Sequence, residues 1–182
     1  DVRTGWLVRR IMNNELRIKN KKGKTILHNS KFIIHESRVG HYFIKKLMRQ
    51  KSANRGAEYS GHYYFKEFFS ADSGILTAIR ILNAVSRVPY SSADFVDLQP
   101  NIVHSKFFNV HTQKPDSLLL KIRKHFSGQA IKIKSFDGLT FDFKDAFLIV
   151  RPSNTEPLVR IFIAALSKNS LAKLFKDTRR LL

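Results

Sequence analysis

Cysteine is absent from the 182 residues. A disulfide scaffold, a cysteine-bound zinc and a thiol nucleophile are therefore excluded. Acidic residues are scarce: 14 Asp and Glu stand against 33 Lys and Arg, a formal charge of +19. No apolar run approaches the ~20 residues that a membrane-spanning helix needs. What is present is a sizeable apolar fraction: 43% hydrophobic and 12% aromatic residues, with 15 Phe, argue against wholesale disorder. The length suggests one or two domains at roughly 150 residues each. The chain opens on Asp1 rather than Met, so we expect a piece of a longer protein.

The basic excess is spread over both halves instead of forming a tail. Such a surface attracts anions, whether nucleic acid, acidic lipid or phosphorylated small molecules. The plainer reading, and the favoured one, is a proteome rich in Lys, Ile, Phe and Asn, in which much of this charge is solvated surface.

The pattern divides the chain. Trp6 to Met12 reads as a short helical stripe, residues 13–30 as a hairpin or inserted loop around Gly23, and Lys31 to His35 as a short buried strand. His41 to Met48 looks helical. Asp72 is placed to cap a helix over Ser73 to Val88, which Pro89 ends. Tyr90 to Asn101 reads as a linker. Beyond it come a strand at Lys106 to His111 and a helix at Pro115 to Phe126 with Pro115 in its first turn. The segments Gln129 to Lys134 and Leu139 to Phe143 alternate about the hairpin signal Asp137-Gly138. Apolar strands follow at Ala146 to Val150 and Leu158 to Ala165, then an amphipathic helix over Leu171 to Leu182. The expected fold is α/β in the first half, a partial domain with a mixed sheet and helices. An α+β C-terminal domain with an antiparallel sheet follows. The expected boundaries are 1–90, a hinge at 91–101, and 102–182.

Two polar segments stand out. In Gly56-Ala57-Glu58-Tyr59-Ser60-Gly61-His62, alternation would put Glu58, Ser60 and His62 on one side of an extended chain. They offer an acceptor, a hydroxyl and an imidazole, a set suited to sugar hydroxyls. The plain alternative is a strand-end turn with a satisfied His. In Arg151-Pro152-Ser153-Asn154-Thr155-Glu156-Pro157, a guanidinium, two hydroxyls and an amide lie between two apolar strands. Guanidinium binds phosphate bidentately and the neutral donors fill the other oxygens. Arg160 could add a second guanidinium, and the alternative is an ordinary turn.

Together, and in this order, the segments resemble the α-D-phosphohexomutase family, in particular its phosphomannomutase/phosphoglucomutase branch. There a G-G-E-x-S-G-H segment reads the sugar in the third domain and an R-x-S-N-T-x-P loop grips phosphate in the fourth. Asp1-Val2-Arg3-Thr4, Arg38-Val39-Gly40-His41, Tyr63-Tyr64-Phe65 and Asp72-Ser73-Gly74 resemble further family segments. Ala57, Tyr59 and Ser73 depart from the family pattern. The resemblance covers nearly the whole chain and implies the C-terminal portion of such an enzyme.

It implies that Glu58 and Ser60 bind the 3- and 4-hydroxyls of the sugar, with Arg3, His41 and His62 lining the same site. Arg151, Ser153, Asn154, Thr155 and Arg160 would hold the phosphate that does not react. The family's phosphoserine loop and its D-G-D-x-D-R magnesium loop have no counterpart in the sequence; Asp142 and Asp145 read as hairpin surface. No catalytic residue and no metal ligand is therefore expected in this chain, and it is expected to be inactive alone. Magnesium and a hexose 1,6-bisphosphate activator belong to the implied parent enzyme. Its expected partners are mannose or glucose 1- or 6-phosphate and the N-terminal domains of the same protein, in the cytoplasm, with no membrane partner. The alternative is a basic nucleic-acid-binding module.

Overall fold

The computed structural model describes residues 6, 8–10, 33–87, 102–153 and 155–182. The chain separates into two units, Asp1–Pro100 and Asn101–Leu182. The expected loop at 13–30, the hinge at 91–101, the segment Asp1-Val2-Arg3-Thr4 with Arg3, and Asn154 lie outside the described residues.

In the first unit, Trp6 is helical and buried. Helix α1, His41–Lys51, starts after Gly40, whose positive φ of 124° turns the chain and whose carbonyl accepts from the N–H groups of Phe43 and Ile44. Its Ile44 and Met48, one turn apart, are buried against Tyr64. Strands β1 (Arg55–Ala57), β2 (Tyr63–Phe65) and β3 (Ala71–Asp72) form an antiparallel sheet in that order. Gly56 lies opposite Tyr64, and a Cβ there would come within 2.8 Å of Met48 Sδ and 3.0 Å of Ile44. Close approach of α1 to the sheet thus demands glycine. Ala57 is exposed, so the extra methyl at that departure from the family pattern meets solvent.

Two expectations change here. Ile33 to His35 has no regular structure, and Ile33 is 84% exposed. A β-branched run becomes a strand only where a neighbour supplies backbone partners, and no described residue does so. Helix α2, Gly74–Ser86, is capped by Ser73, not Asp72: Ser73 Oγ accepts from Leu76 N at 3.1 Å. Asp72 is the last residue of β3, which frees its carboxylate for the site below.

The second unit has a six-stranded sheet. Its path runs β4 (Val103–His104), β9 (Leu158–Ala165), β8 (Ala146–Pro152), β7 (Leu139–Asp142), β6 (Lys132–Ser135), with β5 (Phe108–His111) also pairing β9. All pairings are antiparallel. Helices α3 (Pro115–Phe126) and α4 (Lys168–Arg179) contribute Ile122, Phe126 and Leu174 to a core with Phe141, Leu148, Val150, Ile161 and Ile163. The alternate residues Phe147, Ile149 and Phe162 are buried too, so β8 and β9 are covered on both faces. That is why they read as continuous apolar runs. Helix α4 begins three residues earlier than its apolar stripe, because Ser167 Oγ accepts from Ser170 N and caps it.

Candidate functional site

The Glu58–His62 segment is a turn, not the extended run that alternation predicts. Gly61 N donates to Glu58 O at 3.0 Å and Glu58 N to His62 O at 2.9 Å, with Gly61 at φ +85°. A three-residue hairpin loop of this kind ends on a left-handed residue, which glycine supplies without strain. The turn still gathers the predicted side chains. Ser60 Oγ lies 2.8 Å from His62 Nδ1, and His62 Nδ1 lies 3.7 Å from Glu58 Oε2. His41, the first residue of α1, brings Nε2 within 3.7 Å of the same carboxylate oxygen, and its ring meets that of His62 at 4.5 Å. Glu58, Ser60, His41 and His62 are thus one cluster.

Three residues that the sequence pattern does not single out for the site complete it. Buried Tyr64 donates its hydroxyl to Glu58 Oε2 at 3.1 Å. Burial, then the Glu58 charge, pushes the Tyr64 phenol far above its ordinary range, so it remains a donor. Asp72 Oδ1 lies 3.6 Å from both His41 Nδ1 and Lys45 Nζ. Burial pushes the Asp72 carboxyl up, but a backbone N–H together with His41, Lys45 and His62 outweighs it and holds the group below its usual range. The Asp72-Ser73-Gly74 segment stands out in the sequence but not as part of this site, because the role of Asp72 arises where β3 meets the start of α1.

The sign for Asp72 follows from linkage. A lowered folded pKa contributes stability that is full above the unfolded value, about 3.9, and is lost as pH falls through the folded one. Asp72→Asn is expected to flatten the loss of thermal stability as pH falls below about 4, read from melting curves; an acid limb identical to that of the parent chain counts against it.

His41, Glu58 and His62 each offer a ligand atom, all within 4.8 Å of one another. The sequence pattern gives no expectation of metal ligands, yet this group could hold a cation. Two imidazoles and one carboxylate suit a zinc-type ion. They do not fit magnesium, which demands octahedral oxygen coordination.

In the second unit, the predicted phosphate loop leaves β8 and enters β9. Arg151 and Arg160 are direct cross-strand partners, as are Pro152 and Val159. Like charges directly opposite one another on a sheet are unfavourable unless balanced. Here each has an acid: Arg151 Nε lies 3.3 Å from Asp137 Oδ2, and Arg160 Nη2 donates to Glu156 Oε2 at 3.0 Å. Ser153 N donates to Leu158 O at 2.9 Å, and Thr155 N reaches Ser153 Oγ at 3.4 Å. Arg151, Ser153, Thr155 and Arg160 therefore share one loop mouth.

Comparison with known proteins finds a match in each of the two units. Residues 19–101 match the family model for phosphoglucomutase/phosphomannomutase, alpha/beta/alpha domain III. Residues 108–181 match that for the phosphoglucomutase/phosphomannomutase C-terminal domain. A phosphomannomutase of Methanocaldococcus jannaschii is 33% identical over 147 residues, 81% of this chain and 32% of that protein. A phosphomannomutase of Escherichia coli is 31% identical over 147 residues, 80% of this chain and 32% of that protein. A crystal structure of a phosphoglucomutase/phosphomannomutase family protein from Burkholderia thailandensis superposes with a TM-score of 0.68 at 33% identity, over 79% of this chain and 31% of that one. The chain thus spans about a third of the length of the relatives it matches. With one polar turn in each of two successive matched domains, the chain belongs to the phosphoglucomutase/phosphomannomutase family, of which it carries domain III and the C-terminal domain.

Proposed function

We propose that this chain is the hexose-phosphate-binding portion of a phosphohexomutase, an isomerase that moves a phosphoryl group between carbons 1 and 6 of mannose or glucose phosphate. The observation that carries this reading is the pairing of Arg151 with Arg160 across β8 and β9 at the mouth of a loop of hydroxyls and backbone donors. Two guanidiniums on neighbouring strands, each beside one acid, still offer further N–H donors, and a phosphate dianion is the group that their fork geometry fits. Arg151, Ser153, Asn154, Thr155 and Arg160 hold the phosphate that does not react. Glu58 accepts from sugar hydroxyls, held by Tyr64, while Ser60, His41, His62 and Arg3 line the ring. Each turn takes one part of the substrate: the phosphate at the Arg151 loop, the sugar hydroxyls at the Glu58 turn.

The reaction itself needs a phosphoryl donor and charge neutralisation; in the parent cytoplasmic enzyme we assign these to a phosphoserine and magnesium held by its N-terminal domains. The present residues contribute positioning and an electropositive surface that concentrates a dianionic substrate. The chain alone then binds without turnover. A nucleic-acid module gains no support from either turn.

The test is an NMR titration of the 182-residue chain with glucose 1-phosphate and with inorganic phosphate. Glu58→Gln keeps the volume and the Tyr64 contact but removes the charge. It is expected to weaken glucose 1-phosphate about 10-fold and leave inorganic phosphate unchanged, since a hydrogen bond to a charged group is worth about 1.5–3 kcal/mol. Equal affinity of the variant and the parent chain for the sugar phosphate would falsify the assignment of Glu58, and isomerisation of glucose 1-phosphate by the chain alone overturns its proposed dependence on other domains.

A further inference from the structure

The Asp137-Gly138 hairpin does more than reverse the chain. A β-hairpin turn needs left-handed residues, but it needs neither a charge nor burial, and Asn or Gly would serve as well. Asp137, at φ +52°, nevertheless has a side chain only 5% exposed, and its carboxylate faces Arg151 Nε at 3.3 Å. Burying a carboxylate is costly unless a partner balances it. Arg151 Nε is itself buried and makes no hydrogen bond among the described residues, so the contact is a charge pair. What exposure the Arg151 side chain retains belongs to the rest of it.

The neighbouring residue comes close to the backbone of the same arginine. At Gly138, φ +97°, a Cβ would sit 2.5 Å from Val150 O and 2.9 Å from Arg151 Cα. This turn, which joins β6 to β7, therefore abuts β8 where its apolar run gives way to the phosphate loop. The main chain and the side chain of Arg151 thus both lie against this one turn.

We infer that Asp137 is a positioning residue for the phosphate grip: it engages Arg151 through Nε and leaves the terminal guanidinium nitrogens for the anion. This rests on the reading of Arg151 as a phosphate ligand. The sign of the effect separates positioning from simple electrostatics. A carboxylate beside an anion site repels a dianion, so its removal should tighten binding if charge alone mattered. If it fixes the guanidinium, its removal loosens binding.

The experiment is a double-mutant cycle on the 182-residue chain, titrating glucose 1-phosphate by NMR into the parent, Asp137→Asn, Arg151→Ala and the double variant. Asn tolerates the left-handed conformation, so the turn is kept. Asp137→Asn is expected to weaken binding on the order of 10-fold with Arg151 present and to change it by less than about twofold without it. Tighter or unchanged binding overturns the inference, as does an equal loss in both backgrounds, which would mean that the loop itself is damaged. If circular dichroism shows that Asp137→Asn is unfolded, Asp137→Gly replaces it under the same criteria. Undiminished binding by Arg151→Ala, or no saturable binding by the parent, overturns the phosphate-grip reading and the role of Asp137 with it.

Discussion

Arg151→Ala is expected to lower the affinity of the chain for glucose 1-phosphate about 100-fold. Two charge-assisted hydrogen bonds to one phosphate are lost together, each worth about 1.5–3 kcal/mol, and 1.4 kcal/mol is tenfold in affinity. The variant also removes the cation that faces the buried Asp137 carboxylate. Breaking a buried pair by removing one partner costs stability, here about 2 kcal/mol because the pair is not fully enclosed. Arg151→Lys separates the two effects. It keeps the charge that balances Asp137, so stability is largely retained, but it forfeits the planar fork and with it much of the affinity. NMR titration and urea unfolding of the two variants give both quantities; near-parent affinity in Arg151→Ala removes Arg151 from the site.

The largest stability loss is expected at Phe126→Ala. Phe126 closes α3, is fully buried, and meets the rings of Phe141 at 5.7 Å and Phe143 at 5.6 Å edge-on. Truncating a buried Phe removes transfer energy and leaves a cavity, together about 3–5 kcal/mol. The midpoint of the Asn101–Leu182 unit should fall by more than about 10 °C. Circular dichroism melts check this, and a fall of only a few degrees would mean that neighbouring rings collapse into the space.

How much of this was legible in the sequence depends on what each feature is made of. Both apolar runs at Ala146 to Val150 and Leu158 to Ala165 are strands, because covering a sheet on both faces removes alternation and leaves an uninterrupted stripe. Pro115 and the apolar spacing of Leu118, Leu119 and Ile122 mark α3 for the same local reasons. Local signals failed where the answer lay across the chain. Ile33 looks like strand but has no described pairing partner, and Asp72 looks like a helix cap but Ser73, one residue on, holds that place. The two site turns were visible because their residue types are unusual side by side. Their supports were not: Tyr64, Asp72 and Asp137 act through neighbours that only folding brings near.

Pairing of β8 with β9 continues to Pro152 and Val159, and β9 itself begins at Leu158, so only residues 153–157 are left for the proposed phosphate loop. Five residues with both ends pinned span too little to wrap a sugar as well as its phosphate. On the proposed reading, such a clasp holds phosphate alone and is blind to the identity of the hexose attached to it. On the same reading, selectivity among sugars within this chain is settled at the Glu58 turn, and exchanging residues of the phosphate loop between relatives is expected to alter affinity without altering that choice.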